Sequence, residues 1–82
     1  MSLETPSIPA ETARHVIWTF GREGGYRPGT YTQKLLELLA YADEGNTAKL
    51  ATVYPAEVAA VRLAKYDEDG MDQLQRIAGN LL

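Results

Sequence analysis

Helix-breaking residues punctuate this chain so densely that only short helices fit between them. Gly21, Gly24, Gly25, Pro28 and Gly29 crowd one stretch, and Gly45, Pro55, Gly70 and Gly79 follow at intervals. Inside a helix, glycine costs about 1 kcal/mol and proline about 3 kcal/mol relative to alanine, so each of these positions reads as a boundary or a kink. Between the boundaries, apolar residues recur three and four apart, and no alternating β-branched run argues for a strand. The expected fold class is all-α, a compact bundle of four or five short helices.

The pattern places the first helix from Pro9 to Phe20, with Ala13, Val16, Ile17 and Phe20 on one face, Glu11, His15 and Arg22 on the opposite face, and Gly21 as its stop. Residues 21–30 form a loop in which Pro28-Gly29 suits the centre of a type II turn. Thr30 then caps the second helix, with Gln33 in capping-box register. In that helix Tyr31, Leu35, Leu38 and Ala42 make a stripe, widened by Leu36, Leu39 and Ala40. So wide an apolar arc predicts a helix packed on two neighbours, at the middle of the fold. Gly45 ends it and Asn46 caps the next helix.

The stretch from Thr47 to Tyr66 breaks near Pro55 into a short segment to about Val53 and a longer helix from Pro55 to Tyr66. Leu50, Val53, Val58, Val61 and Leu63 supply its bulk, and Ala56, Ala59, Ala60 and Ala64 leave room for close approach. Asp69 caps a last helix with Met71, Leu74, Ile77 and Ala78 on one face, closed by Gly79. Residues 1–8, with Pro6, read as a flexible lead-in, and residues 9–82 as a single helical domain.

Composition narrows the function classes. There is no cysteine, hence no disulfide and no thiolate metal site. No apolar run approaches the roughly 20 residues of a membrane span, and no signal peptide is evident, so a cytoplasmic location is expected. The net charge of −3 comes from residues 42–82. There Lys49, Arg62, Lys65 and Arg76 face Asp43, Glu44, Glu57, Asp67, Glu68, Asp69 and Asp72. An acidic half repels phosphate backbones, which makes nucleic acid an unfavoured partner.

Several features of the central half recur together: Gly24-Gly25, Tyr31-Thr32, Ala42-Asp43 with Asn46, and Lys49-Leu50 with Tyr54-Pro55. In these the chain resembles small uncharacterised all-α proteins of phages and prophages, especially those of actinobacteria. The resemblance implies an accessory protein made in the cytoplasm of a bacterial host. Those proteins have no assigned activity, so it transfers no functional residue.

Chemistry-bearing groups are sparse. The glycines at 21, 24, 25 and 29 match neither nucleotide-binding spacing, follow a helix rather than a strand, and lack the lysine of a phosphate loop. His15 is the only histidine, with Glu11 one turn back, and the two serines lie in the lead-in. With Gly70 at the sixth position of a calcium loop, the first and twelfth positions are Lys65 and Arg76, which cannot supply the oxygens required. No catalytic residue, metal ligand or cofactor is predicted, and the chain is not expected to be an enzyme.

A helix-turn-helix built from the second helix, Gly45-Asn46 and the helix from Thr47 has suitable spacing. Its recognition segment, however, offers Lys49 as its one positive charge. The reading that remains is a small helical accessory or interaction module, phage or mobile-element encoded. It acts by contact with a protein partner or with a second copy as a homodimer; the alternative is a helix-turn-helix DNA-binding regulator. Trp18, Arg22, Tyr26, Arg27 and Tyr41 are the expected partner contacts. Tryptophan and tyrosine pair large apolar area with a polar tip, and the arginines sit on a loop beside them.

Overall fold

A computed structural model describes residues 7–79. Five α-helices run through them: α1 (Ala10–Thr19), α2 (Thr30–Tyr41), α3 (Glu44–Ala51), α4 (Pro55–Tyr66) and α5 (Gly70–Ile77). The described residues contain no strand. The chain is therefore an all-α bundle, as the spacing of breakers and apolar residues requires. Of the expected lead-in, residues 1–6 lie outside the described residues, and Ile8 packs against the core. Residues 80–82 also lie outside them.

The centre is a three-helix unit. Ala13, Val16 and Ile17 of α1 meet Val58, Ala60 and Val61 of α4 and Met71 and Leu74 of α5, with Ala78 just beyond α5. Phe20 and Leu63 cover its edge. Small Ala60 and Ala78, both fully buried, are what allow these helix axes to come close. α2 adds Leu36 and Leu39 against α1 and α4, while α3 lies on α4 and buries Thr47. Arg14 reaches from α1 to the far end of α5, where its Nη2 donates to the Ala78 carbonyl at 2.7 Å.

Several boundaries fall where the sequence puts them. Pro55 opens α4 in its first turn, where a missing N–H costs nothing, and α4 ends at Tyr66. Gly21 and Gly79 follow α1 and α5 with positive φ. The helix facing solvent least well anticipated is α2. Tyr31 and Leu38 of its expected core stripe are 70% and 53% exposed, and Leu36 and Leu39 are the buried pair. With α1 and α4 both on one side, the wide apolar arc is half covered, and α2 lies at the flank rather than the middle. Ile77 of α5 likewise stays exposed while Ala78 is buried.

Two caps differ from expectation, and a third, Asp69, stands at the expected position without its capping bond. Gly29 has φ −65° and ψ 168°, so Pro28-Gly29 is no type II turn; Gly29 occupies the N-cap of α2 and Thr30 is already helical. The buried ring of Pro28 fixes the approach of the chain. Gly45 does not end α2, which stops at Tyr41, and Asn46 does not cap α3. Asp43 does: its Oδ1 accepts from the Asn46 amide at 2.9 Å, placing a carboxylate at the positive end of α3. Asp69 holds the N-cap position of α5 without a capping bond; its Oδ1 accepts from Gln73 Nε2 at 3.0 Å.

Gly70 sets the α4–α5 corner. A Cβ there would overlap the Leu63 carbonyl group, so α5 starts closer to α4 than any other residue allows. The same device governs the loop after α1. A Cβ on Gly25 would overlap the Arg14 carbonyl oxygen and lie 2.6 Å from the Trp18 amide nitrogen.

Candidate functional site

The close approach at Gly25 presses the 20–29 loop flat onto α1, and this is what gathers the side chains of interest. Gln75 Nε2 of α5 donates to the Glu23 carbonyl at 2.9 Å and holds the loop from the other side. The Arg22 amide donates to the Ile17 carbonyl at 3.1 Å, continuing the end of α1. The glycines therefore serve close packing here, and the loop is a fixed surface rather than a slack connection.

Two stacked pairs result. The Arg27 guanidinium lies 6.0 Å from the centre of the Trp18 ring, with Nε donating to Gln33 Oε1 at 3.2 Å. The Arg14 guanidinium lies 5.9 Å from the centre of the Tyr26 ring, and His15 meets the same ring edge-on at 5.4 Å. Both distances suit attraction between a cation and an aromatic face. Trp18 is 37% exposed and Tyr26 46% exposed, so each aromatic residue meets solvent beside a positive charge. Arg22 is exposed at the end of α1.

Of the five expected contact residues, the structure brings Trp18 beside Arg27 and places Tyr26 and Arg22 on the same loop. Tyr41 lies on α2, outside that loop. It is almost fully exposed at the end of α2, lining a surface cleft of about 400 Å³ with Thr19, Phe20, Glu37 and Ala40. Arg14 and His15 went unnoticed in the sequence as members of the site. Their spacing carried a signal, since they precede Trp18 by four and three residues and so share its helix face. His15 is not the solvated residue expected: its side chain is 14% exposed under Tyr26, with Nε2 3.8 Å from Glu11 Oε2.

Other surfaces compete for attention. A polar cleft of about 200 Å³ is lined by Glu11, Thr12, His15, Thr32, Leu36 and Glu57. Beside its Glu57, the Tyr31 and Tyr54 hydroxyls hydrogen-bond and tie the start of α2 to the start of α4. That bond raises the Tyr54 phenol above its ordinary 10.0, with loss of hydration and the charges of Tyr31 and Glu57 adding to it. A shallow apolar groove of about 480 Å³ follows α4 past Ala59 and Leu63 to Tyr66. A third cleft, about 400 Å³, lies between Leu38 of α2 and Leu50 of α3.

No family model, curated protein or solved structure matches the chain. Its own side chains are what is left to read. Among the described residues, no three of the His, Asp and Glu side chains are placed to share a metal ion. No helix of the described residues is long and apolar enough to cross a membrane.

The helix pair read as a helix-turn-helix is α2 and α3, joined by Ala42-Asp43. α3 turns Asn46, Ala48 and Lys49 outward, and Glu44 at its start pairs with Arg62 at 2.7 Å. The exposed positive charge of α3 is thus Lys49, next to an acidic N-terminus.

Proposed function

We propose that this chain is a small helical interaction module that acts by protein–protein contact, in the setting of a phage or other mobile element within a bacterial host. One observation carries the reading: the rigid platform on which Arg27 covers Trp18 and Arg14 covers Tyr26. Tryptophan, tyrosine and arginine dominate binding energy at protein contacts, and a surface already fixed loses little entropy when a partner arrives. The loop is fixed from both sides, by Gly25 against α1 and by Gln75 from α5. The phage setting and the cytoplasmic location rest on the sequence resemblance.

Catalysis has weaker support. The polar cleft brings an imidazole, two carboxylates and two threonine hydroxyls together. At about 200 Å³, though, it is smaller than the roughly 300–1,000 Å³ of ordinary ligand pockets, and Glu11 is 72% exposed. The one acid–base pair in it, His15 Nε2 and Glu11 Oε2, stands 3.8 Å apart, beyond hydrogen-bond reach. DNA binding has less still, given one exposed lysine on α3 and a net charge of −3.

Affinity capture from a bacterial host lysate with the wild-type chain and with Trp18→Ser tests the reading. The expected result is a discrete protein retained by the wild type and lost with Trp18→Ser while Tyr41→Ser still retains it. Retention by Trp18→Ser at wild-type level removes the platform from the interaction.

A further inference from the structure

The platform has a charge as well as a shape. Arg14, Arg22 and Arg27 gather at one end of a protein whose net charge is −3. Among the described residues, ion pairs join Glu11 to His15 and Glu44 to Arg62; none involves these three arginines. Arg27 spends its Nε on Gln33, which leaves both Nη groups, with about four of its five N–H donors, for an incoming acceptor. Arg14 gives one Nη2 bond to Ala78 and keeps its charge over Tyr26. Glu23, next to Arg22, is the exposed carboxylate of the loop itself, and the larger acidic cluster is on the α4–α5 turn, where Asp67, Glu68, Asp69 and Asp72 are exposed. An acidic partner is therefore repelled from that turn and drawn to the arginines, so the field orients it before contact.

We propose that the platform's occupant is an acidic linear segment of another protein. Its carboxylates meet the guanidinium groups of Arg22 and Arg27, and an apolar side chain lies against the exposed part of Trp18. This rests on the contact reading above and supplies its partner chemistry. Carboxylate geometry matches the guanidinium fork with two parallel hydrogen bonds, which a point charge cannot offer. A short segment is the fitting partner because the platform comprises one helical turn and a pinned loop. That is far less than the roughly 20–30 residues that a globular partner covers. Nucleic acid is the less favoured occupant. Three arginines neutralise few phosphates, and the rest of the chain repels the backbone.

Trp18 is the only tryptophan, so its emission reports the site directly. The full chain is titrated with a short tryptophan-free peptide of repeating Glu-Glu-Leu, with its Lys-Lys-Leu counterpart, and with a short oligothymidylate, at ~50 mM and ~500 mM salt. A saturable emission change is expected with the Glu-Glu-Leu peptide alone, weakened at least about tenfold by the higher salt. Arg22→Glu and Arg27→Glu each weaken it about tenfold or more, and Lys49→Glu on α3 leaves it unchanged. Thermal melts of all variants confirm that the fold persists, and Arg27→Lys, which keeps the charge and loses the fork, falls between.

Equal binding of the lysine peptide, tighter binding of oligothymidylate, no saturable change, or full affinity in both glutamate variants overturns the proposal. Loss of the acidic peptide's binding alongside a captured partner that still depends on Trp18 refutes the acid chemistry and leaves the contact reading standing. Independence of the captured partner from Trp18 removes both.

Discussion

Leu36→Ala and Leu38→Ala remove the same atoms from opposite faces of one turn of α2, and the structure demands unequal losses. Leu36 is fully buried among α1 and α4; Leu38 is 53% exposed. Truncating a sealed leucine loses its transfer free energy and leaves a cavity, about 2–5 kcal/mol in total. Complete burial of a leucine is worth roughly 1.5–3 kcal/mol. Leu38 realises less than half of that, leaves no sealed void, and alanine is the better helix former. Its loss comes to about 1 kcal/mol or less. In a domain of this size each kcal/mol moves Tm by about 4–8 °C, so Leu36→Ala melts roughly 8 °C or more below the wild type and Leu38→Ala less than about 8 °C below it. Circular dichroism melts at matched concentration read both. Equal losses, or a larger loss at Leu38, would mean that α2 is rotated from the orientation described and that its outer stripe is covered.

Gly25→Ala forces a methyl group into α1 and should cost about 1–3 kcal/mol, whereas Gly29→Ala, with open space and φ −65°, stays within about 1 kcal/mol of the wild type or gains slightly. Urea titration compares them, and a shifted Trp18 emission in Gly25→Ala alone shows the loop lifting from α1. Asp43→Ala removes the α3 cap and should destabilise by about 1 kcal/mol, while Asn46→Ala, not a cap, costs less in the same titration. The raised Tyr54 phenol holds its proton to higher pH in the folded chain than in the unfolded one. Its stabilising contribution is therefore complete below pH 10.0 and disappears as pH rises through the elevated value. Absorbance titration near ~295 nm should show one late tyrosine in the wild type that returns toward the ordinary range in Tyr31→Phe. An unchanged curve in that variant would detach the effect from the Tyr31 hydrogen bond.

Where apolar spacing and a breaker agree, as at Pro55–Tyr66 or Ala13-Val16-Ile17 before Gly21, the sequence alone locates both element and core face. It fails at α2 because Tyr31, Leu35, Leu36, Leu38 and Leu39 spread over nearly half of the helix circumference. Periodicity then names the residue types available for burial without saying which flank meets a neighbour. It fails at the α2–α3 corner because Asp43 and Asn46 are both good caps, and only the geometry of Asp43 Oδ1 with the Asn46 amide decides between them. At the platform, composition pointed to Trp18, Tyr26 and Arg27. What assembles them is a contact between Gly25 and the α1 backbone, remote in sequence from the breaker reading of that glycine. Tyr41 had the same chemical appeal as Trp18, and its place across a cleft from Thr19 and Phe20 could not be read from residue type.

Gly25 and Gly70 are two places among the described residues where a Cβ would overlap the backbone of another element. Much of the outer surface can drift without touching the fold, including the exposed stripe of α2 and the acidic turn before α5. These two positions cannot. A distant descendant of this chain would be recognised less by its leucines, which interchange readily with other aliphatic residues, than by two vacant Cβ positions. One would face the first helix and the other the carbonyl of the residue standing at Leu63.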